Sequence, residues 1–159
     1  MKAGEKKIQT QKRFPDSYLD GAVDWRLEVD LDRKLEIPRQ VAETTQRPDM
    51  FLISESKKKL GLIELTVPSE DRIEVSGEIK RAKYAPLQEQ GKAKGWNVRV
   101  WAVEVGCKGF PAASLSTFLK DLGITGGERN QYLKKIGDKA MISSRNIWSM
   151  SHVTKWGKE

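Results

Sequence analysis

The chain has 159 residues, of which 38% are hydrophobic and 32% charged, and its formal net charge is +7 at pH 7. This length predicts one compact domain, and the positive charge favours a polyanionic partner such as nucleic acid. Cys107 is the only cysteine, which excludes an intrachain disulfide and a zinc site built from cysteines. No apolar run approaches membrane-spanning length and no secretory signal is evident, so we expect a soluble, intracellular protein with no membrane partner.

The first elements in chain order are a polar arm and a strand. Residues 1–20 are polar and charged without a clear period, and we expect them to form an arm before a single domain that spans residues 21–159. Apolar and polar residues alternate from Trp25 to Leu31, which predicts a half-buried strand. Residues 41–45 are compatible with a further strand.

A β-hairpin is the clearest feature of the centre of the chain. Residues 50–54 and 60–67 are apolar runs rich in β-branched residues, and the charged stretch 55–59 joins them. Pro68 ends the second strand, because proline cannot donate a hydrogen bond to the ladder. The next element must therefore begin just after residue 68.

That element is predicted to be a helix. Ser69 is a suitable N-cap, and the acidic residues 70–71 favour the positive end of a helix. The helical spacing continues to about Lys92, with Gly77 weakening the helix and Pro86 kinking or dividing it. One face of this helix is predicted to carry Ile73, Ser76, Lys80, Lys83, Tyr84 and Leu87.

The last part of the chain alternates once more and then becomes helical. Residues 98–104 show the alternation of a strand, and glycines predict a turn at residues 106–109. Residues 111–122 predict a short helix, and residues 128–148 a last helix. The order strand, hairpin, helix, strand, helix, helix predicts an α/β or α+β fold, with a small mixed sheet flanked by helices.

Two carboxylates, Asp49 and Glu64, lie near or inside the strands of the hairpin. If the turn centres near Lys57, facing position numbers sum to 113 or 114, so Asp49 lies opposite Glu64 or one place away. Facing side chains have Cβ atoms about 5 Å apart, and two carboxylates so close repel unless a cation lies between them. Mg²⁺, which takes few protein oxygens and keeps several waters, would resolve that conflict. The alternative is that Asp49 ends a turn and Glu64 pairs with a lysine of the helix.

The residues around these acids resemble a known family. Arg47-Pro48-Asp49, fourteen further residues and then Glu64-Leu65-Thr66 resemble the PD-(D/E)XK restriction-endonuclease-like fold. The segments "LIELTVPSEDRIE", "KRAKYAPL" and "VEVGCKGF" resemble the endonuclease-like domain in open reading frames of eukaryotic mobile elements, notably non-LTR retrotransposons. The resemblance covers about residues 25–148 and implies a restriction-endonuclease-like fold.

The resemblance also implies a site and an activity. Asp49 and Glu64 match the two metal-binding acids of the family, with Mg²⁺ as cofactor and Mn²⁺ as its substitute. Thr66 stands where the family motif has a lysine. In relatives with this departure a lysine of the next helix reaches back into the site, and Lys80 matches it, with Lys83 as the competing candidate. The implied reaction is hydrolysis of a phosphodiester bond.

Helical spacing is compatible with this assignment. Lys80 is an i,i+3 neighbour of Lys83 and an i,i+4 neighbour of Tyr84, so all three side chains can point to one side of the helix. Packed on the sheet, that helix would bring a cation near Glu64, with Tyr84 and Thr66 as supporting residues. The alternatives are a solvated basic face for the lysines and a place in the core for Tyr84.

Other lysines are candidate DNA contacts. Glycines beside Lys108 permit close approach of a phosphate, although a structural turn with Phe110 as a core anchor is the favoured alternative. Lys134 and Lys135 belong to the segment 128–159, which holds seven basic and three acidic residues. That segment could grip the DNA backbone, or cap the sheet with its lysines in water.

The leading functional hypothesis is a Mg²⁺-dependent DNA endonuclease, intracellular and nuclear, that nicks DNA to supply a 3′ end for reverse transcription. It implies a larger polyprotein with a reverse transcriptase. The alternative is a nuclease-fold module that binds nucleic acid or a protein without cutting, and Thr66 in place of the lysine keeps that alternative open. Charge alone does not separate DNA from RNA as the partner.

Overall fold

The computed structural model describes residues 17–156, with side chains as far as residue 150. Most of the predicted arm, residues 1–16, lies outside the described residues. The strands are β1 (Arg26–Val29), β2 (Met50–Ser54), β3 (Lys59–Thr66) and β4 (Asn97–Glu104). The helices are α1 (Ile73–Ala93), α2 (Ala113–Asp121) and α3 (Gly126–Trp156). The predicted mixed α/β architecture is confirmed. Among the described residues, none of the helices combines the length and the hydropathy of a membrane span.

The four strands form one mixed sheet in the order β1-β2-β3-β4. β2 pairs with β1 and β3 in antiparallel fashion, whereas β3 and β4 are parallel and α1 connects them. Across the hairpin Phe51 faces Leu62 and Met50 faces Ile63, so facing numbers sum to 113 as predicted. One further step in this register places Asp49 opposite Glu64.

Helix α1 covers one face of the sheet. Tyr84 and Leu87 of α1 are fully buried there, against alternate residues of the strands such as Leu62. Glycine allows close approach at Gly91, where an added Cβ would lie 2.4 Å from a methyl group of Val98. The buried residues of this layer are Ile37, Val41, Ala42, Phe51, Ile53, Leu60, Leu62, Tyr84, Leu87 and Trp96.

Helices α2 and α3 lie on the opposite face. Leu115 and Leu119 of α2 are buried with the strand residues that point away from α1, among them Ile63 and Trp101. Leu133 of α3 packs against the same cluster together with its helical neighbours Ile136 and Ala140. The sheet therefore separates two apolar layers, and a side chain of β3 belongs to one or the other according to the parity of its number.

Several sequence expectations are wrong in detail. β1 is exposed and not half-buried, with Leu27 57% and Val29 45% exposed, because it is an edge strand with no helix over it. Residues 41–45 contain no strand; the amide of Val41 donates to the carbonyl of Pro38 in a turn that buries Val41. Burial of side chains here comes from the loop and not from a β-ladder.

The helical boundaries also differ from expectation. The chain after Ser69 begins with a 3₁₀ turn, Glu70–Arg72, and the Ser69 side chain makes no capping hydrogen bond. Pro86 lies inside α1 and does not divide it. Burial of Tyr84 and Leu87 on either side of this proline offsets its cost, about 3 kcal/mol in a helix interior. Pro111 forms a β-bridge with Val105 and stands before α2, not in its first turn.

Candidate active site

Glu64 is a charged residue in the interior of the sheet. It lies on β3, on the face that α1 covers, and only 2% of it is exposed. Its Oε2 accepts a hydrogen bond from the Lys80 ammonium at 2.8 Å, and its Oε1 accepts one from the Tyr84 hydroxyl. The Lys83 ammonium lies 3.5 Å from Oε1. Two cations and one hydroxyl thus surround a single buried carboxylate.

Helix α1 supplies all three of these groups because of its period. Lys80 and Tyr84 are one turn apart and share the face that packs on the sheet. Tyr84 is fully buried and its hydroxyl also lies 3.0 Å from the Arg47 carbonyl oxygen. Lys83 is more exposed than Lys80, and its ammonium lies 4.8 Å from the centroid of the Tyr84 ring. The Tyr84 hydroxyl therefore contacts both the Glu64 carboxylate and the backbone at Arg47, two residues before Asp49.

Asp49 lies just before β2 and is exposed. Its Oδ2 accepts a hydrogen bond from the backbone amide of Leu65 at 2.7 Å, next to Glu64 on the neighbouring strand. Its Oδ1 has no partner among the residues that the structure describes. The charge of Asp49 contributes to the raised pKa of Tyr84, so the two side chains are within electrostatic reach.

The protonation states follow from these contacts. Burial by itself raises the pKa of the Glu64 carboxyl, but hydrogen bonds from Lys80 and Tyr84 and the charges of Lys80 and Lys83 hold that pKa below its ordinary value of 4.5. Burial, the hydrogen bond to Glu64 and the charges of Glu64 and Asp49 all raise the pKa of the Tyr84 hydroxyl. Glu64 is therefore ionised at neutral pH, and Tyr84 keeps the proton that it donates.

The donor set suits a small hard cation. No group of three or more His, Cys, Asp and Glu side chains in residues 17–150 is arranged to hold a metal. Two facing carboxylates are nevertheless compatible with Mg²⁺, which takes few protein oxygens and keeps several waters. Asp49 offers a free oxygen, and each oxygen of Glu64 has a second lone pair beyond the bond that it accepts. Glu64 does pair with a lysine of the helix, as the alternative interpretation of the sequence predicted. This pairing still leaves lone pairs on the Glu64 carboxylate that could bind a metal ion.

Thr66 lies two residues beyond Glu64 and is half-buried. In the parallel register it stands beside Glu104 of β4. Glu104 was not among the predicted site residues, yet it is as buried as Glu64, at 2% exposure. Its Oε2 accepts a hydrogen bond from the Ser114 hydroxyl, and its Oε1 has no partner in the described part of the chain. The alternation of residues 98–104 places Glu104 on the face under α1, and this pattern was sufficient to include Glu104 among the predicted site residues.

The structure brings together five of the predicted site residues, places a sixth nearby and leaves three apart. The five are Asp49, Glu64, Lys80, Lys83 and Tyr84, and Thr66 lies two residues along β3, beside Glu104. Lys108 is exposed in the turn after β4, where its amide donates to the Glu70 carboxylate at 2.9 Å. Lys134 and Lys135 are exposed on α3, beyond the opposite face of the sheet. Phe110, the expected core anchor beside Lys108, is 58% exposed, so that expectation is wrong.

Comparisons of the chain with protein-family models, with curated proteins and with solved structures found no match. What the site can do is therefore inferred from its residues and from the sequence resemblance described above.

Proposed function

We propose that the protein is a Mg²⁺-dependent DNA endonuclease of the restriction-endonuclease-like fold. The observation that carries the proposal is the arrangement around Glu64: Asp49 faces it across the hairpin, and the Lys80 ammonium lies 2.8 Å from its carboxylate. Two acids and a lysine on one face are the groups that the resemblance assigns to catalysis. A sheet in which a hairpin carries both acids and a helix crosses to a parallel strand supports the same fold.

Lys80 takes the role that a lysine at position 66 would have. Thr66 has no charge, so the cation of the site must come from another element. Lys80 is the better placed of the two candidates, because its ammonium is closer to Glu64 than that of Lys83, at 2.8 Å against 3.5 Å. A fixed cation at this point stabilises the negative charge that builds up on phosphoryl oxygens during hydrolysis.

Asp49 and Glu64 would hold the metal ion. When bound, Mg²⁺ polarises the phosphate and lowers the pKa of the attacking water. Tyr84 fixes the Glu64 carboxylate in place, and the Leu65 amide fixes that of Asp49. The substrate side of the proposal is DNA, attracted by a chain with a net charge of +7, in a nuclear protein that works with a reverse transcriptase in a larger polyprotein.

A plasmid-nicking assay tests the proposal. Supercoiled plasmid is incubated with the protein in Mg²⁺ or Mn²⁺, beside Asp49→Asn and Glu64→Gln. We expect nicking by the wild type, and a loss of about 100-fold or more in both variants, since each removes a charged ligand. Glu128→Gln is the matched control, because Glu128 is exposed at the start of α3. Absence of nicking by the wild type, or undiminished nicking by both acid variants, would refute the endonuclease.

The same assay distinguishes the lysines. Lys80→Met should reduce nicking by about 100-fold, whereas Lys83→Met should reduce it by less than tenfold, because Lys83 is farther from Glu64 and more exposed. The reverse order would assign the role of the cation to Lys83. Circular dichroism of both variants checks that each is folded.

A second candidate function is a nuclease-fold module that binds without cutting. The specific observation in its favour is that position 66, two residues after Glu64, holds an uncharged threonine, while Lys80 and Lys83 already neutralise Glu64. If the wild type fails to nick, labelled duplex DNA and RNA of equal length would show whether it binds either, with an affinity that falls with salt. Binding that Glu64→Gln leaves intact would identify this function.

A further inference from the structure

An acidic cleft lies beside the proposed active site. The first half of α1, the end of β4 and the start of α2 form it, and its volume is about 680 Å³. Arg81 is the one basic residue among the described residues that line it. Its acidic residues are Glu70, Asp71, Glu74, Glu78 and Glu104. On a chain with a net charge of +7 this cleft is a local region of negative charge.

Glu104 forms the buried end of this cleft. It is 2% exposed, and its Oε1 has no hydrogen-bond partner in the described residues. A Cβ added to Gly77 would lie 2.4 Å from that oxygen, so the carboxylate fills the gap that the glycine leaves in α1. A buried carboxylate with an unpaired oxygen is costly, and a cationic donor would remove that cost.

Arg81 is near this oxygen but does not pair with it. One guanidinium nitrogen lies 3.1 Å from the point where a Gly77 Cβ would stand, yet the described ion pairs do not include Arg81 with Glu104. The Arg81 side chain is exposed and long, so it can turn aside without unpacking the core. The cleft can thus admit a cation from outside the chain.

The rim of the cleft is apolar and partly exposed. Phe110 is 58% exposed and Val75 51% exposed, and the other apolar side chains that line the cleft are Ile73, Ala112 and Ala113. A ligand that suits both rim and floor has an apolar stem and a cationic head. An arginine side chain has this form: its methylenes cover apolar surface, and its guanidinium stacks on aromatic rings and carries five donors.

We propose that this cleft binds an arginine side chain of a protein partner, with Glu104 as the buried anchor. The guanidinium donates to Oε1 of Glu104 and to the carboxylates of Glu74 and Glu78, and its stem lies against Phe110. Arginine suits the site better than lysine because its fixed fork reaches several acceptors at once. The inference does not depend on nuclease activity, since none of these residues belongs to the proposed catalytic set.

A titration with short peptides tests this inference. Proton–nitrogen NMR spectra of the ¹⁵N-labelled protein are recorded with acetyl-Gly-Arg-Gly-amide, with its lysine analogue and with its citrulline analogue, which is uncharged. We expect the arginine peptide to shift the amide signals of Gly77, Phe110 and Ser114, with a Kd on the order of 1–10 mM for so small a probe. Absence of shifts, or equal binding of the lysine or citrulline peptide, would overturn the proposal.

Two variants identify the anchor. Glu104→Gln should raise the Kd for the arginine peptide by at least about tenfold, because a charge-assisted hydrogen bond is lost. Glu89→Gln, an exposed glutamate of α1 outside the cleft, should bind like the wild type. Unchanged binding by Glu104→Gln would overturn the role of Glu104.

Arg81 provides the second check. Arg81→Ala should bind the peptide as well as the wild type or more tightly, because a competing guanidinium is gone. If Arg81 instead pairs with Glu104 in solution, a double-mutant cycle of unfolding would show strong coupling between the two residues. Such coupling would overturn the proposal, since the carboxylate would then be satisfied within the chain.

Discussion

Glu64 and Glu104 are two glutamates in nearly the same setting with opposite surroundings. Both are 2% exposed, both lie on the face of the sheet under α1, and their strands β3 and β4 are neighbours. Glu64 receives hydrogen bonds from Lys80 and Tyr84, with Lys83 as a second cation. Glu104 receives one hydrogen bond from a side-chain hydroxyl and leaves one oxygen unpaired.

The difference originates in α1. Where the helix passes over Glu64 it presents long polar side chains, whereas over Glu104 it presents Gly77, which has none. Burial of a carboxylate costs several kcal/mol, and only fixed donors or a cation offset this cost. Glu64 is thus stabilised by cations within the chain, whereas one oxygen of Glu104 has no partner among the described residues.

The largest expected effect comes from replacing each acid by glutamine. Glu64→Gln should lower the free energy of unfolding by about 2–3 kcal/mol, because Lys80 and Tyr84 lose a charged acceptor. The cost stays below the 3–5 kcal/mol of a fully buried pair because the Lys80 side chain is 28% exposed and can reach water. Glu104→Gln should instead raise stability by about 1 kcal/mol, since it removes a buried charge that only the Ser114 hydroxyl stabilises.

Urea unfolding at neutral pH measures both values. The midpoints should move in opposite directions while the slopes stay equal, which would exclude a change in the unfolded state. An equal loss of stability in the two variants would mean that Glu104 is as well compensated as Glu64, and the comparison would fail.

A smaller effect is expected in acid. The pKa of Glu64 in the folded protein lies below its ordinary value of 4.5, so its stabilising contribution is present above that pH and is lost as the pH falls through the folded value. As the pH falls below 4.5 the wild type should lose more stability than Glu64→Gln, which has no carboxyl group at this position to titrate. The loss is smaller than that of the substitution, because the unfolded chain is protonated as well and only the difference between the folded and the ordinary pKa of Glu64 contributes.

Other carboxylates also contribute to the acid loss. Hydrogen bonds from Ser54 and Ser56 lower the pKa of Asp24, and one from Ser69 lowers that of Asp71. Both titrate equally in the wild type and in Glu64→Gln, so the difference between their two pH profiles isolates Glu64. Parallel profiles would contradict the lowered pKa of Glu64.

The group around Glu64 was predictable from the sequence because it depends on short-range rules. The length of the turn set the hairpin register that places Asp49 opposite Glu64. The helical period placed Lys80 and Tyr84 on one side of α1. Both rules act within about twenty residues, where spacing in sequence translates directly into position.

The surroundings of Glu104 were not predictable in the same way. That Gly77 lies over Glu104 depends on how α1 is placed along the sheet, which is decided by packing between distant residues. The exposure of β1 and Phe110 has a similar origin, because it depends on which elements have a neighbour and which lie at an edge. The apolar residues of β1 and the Phe110 side chain favoured burial. Both are exposed because no other element packs over them.

The smallest expected effect concerns Gly77 and tests the packing of Glu104 directly. Alanine ordinarily stabilises a helix interior by about 1 kcal/mol relative to glycine. In Gly77→Ala the new Cβ would meet Glu104 Oε1 at 2.4 Å and its carboxyl carbon at 3.2 Å, so we expect a net loss of about 1 kcal/mol instead. Gly127→Ala, whose Cβ would meet no atom within 4 Å near the start of α3, should be neutral or stabilising.

The cause of that loss can be isolated by removing the carboxylate. In a Glu104→Ala background the clash is gone, so Gly77→Ala should recover the ordinary gain of a helical alanine and raise the urea midpoint. A loss that persists in this background would mean that Gly77 is required by the helix itself. In that case the position of the Glu104 carboxylate would not require a glycine at position 77. The space left by Gly77 would then not explain why Glu104 Oε1 lies there without a hydrogen-bond partner.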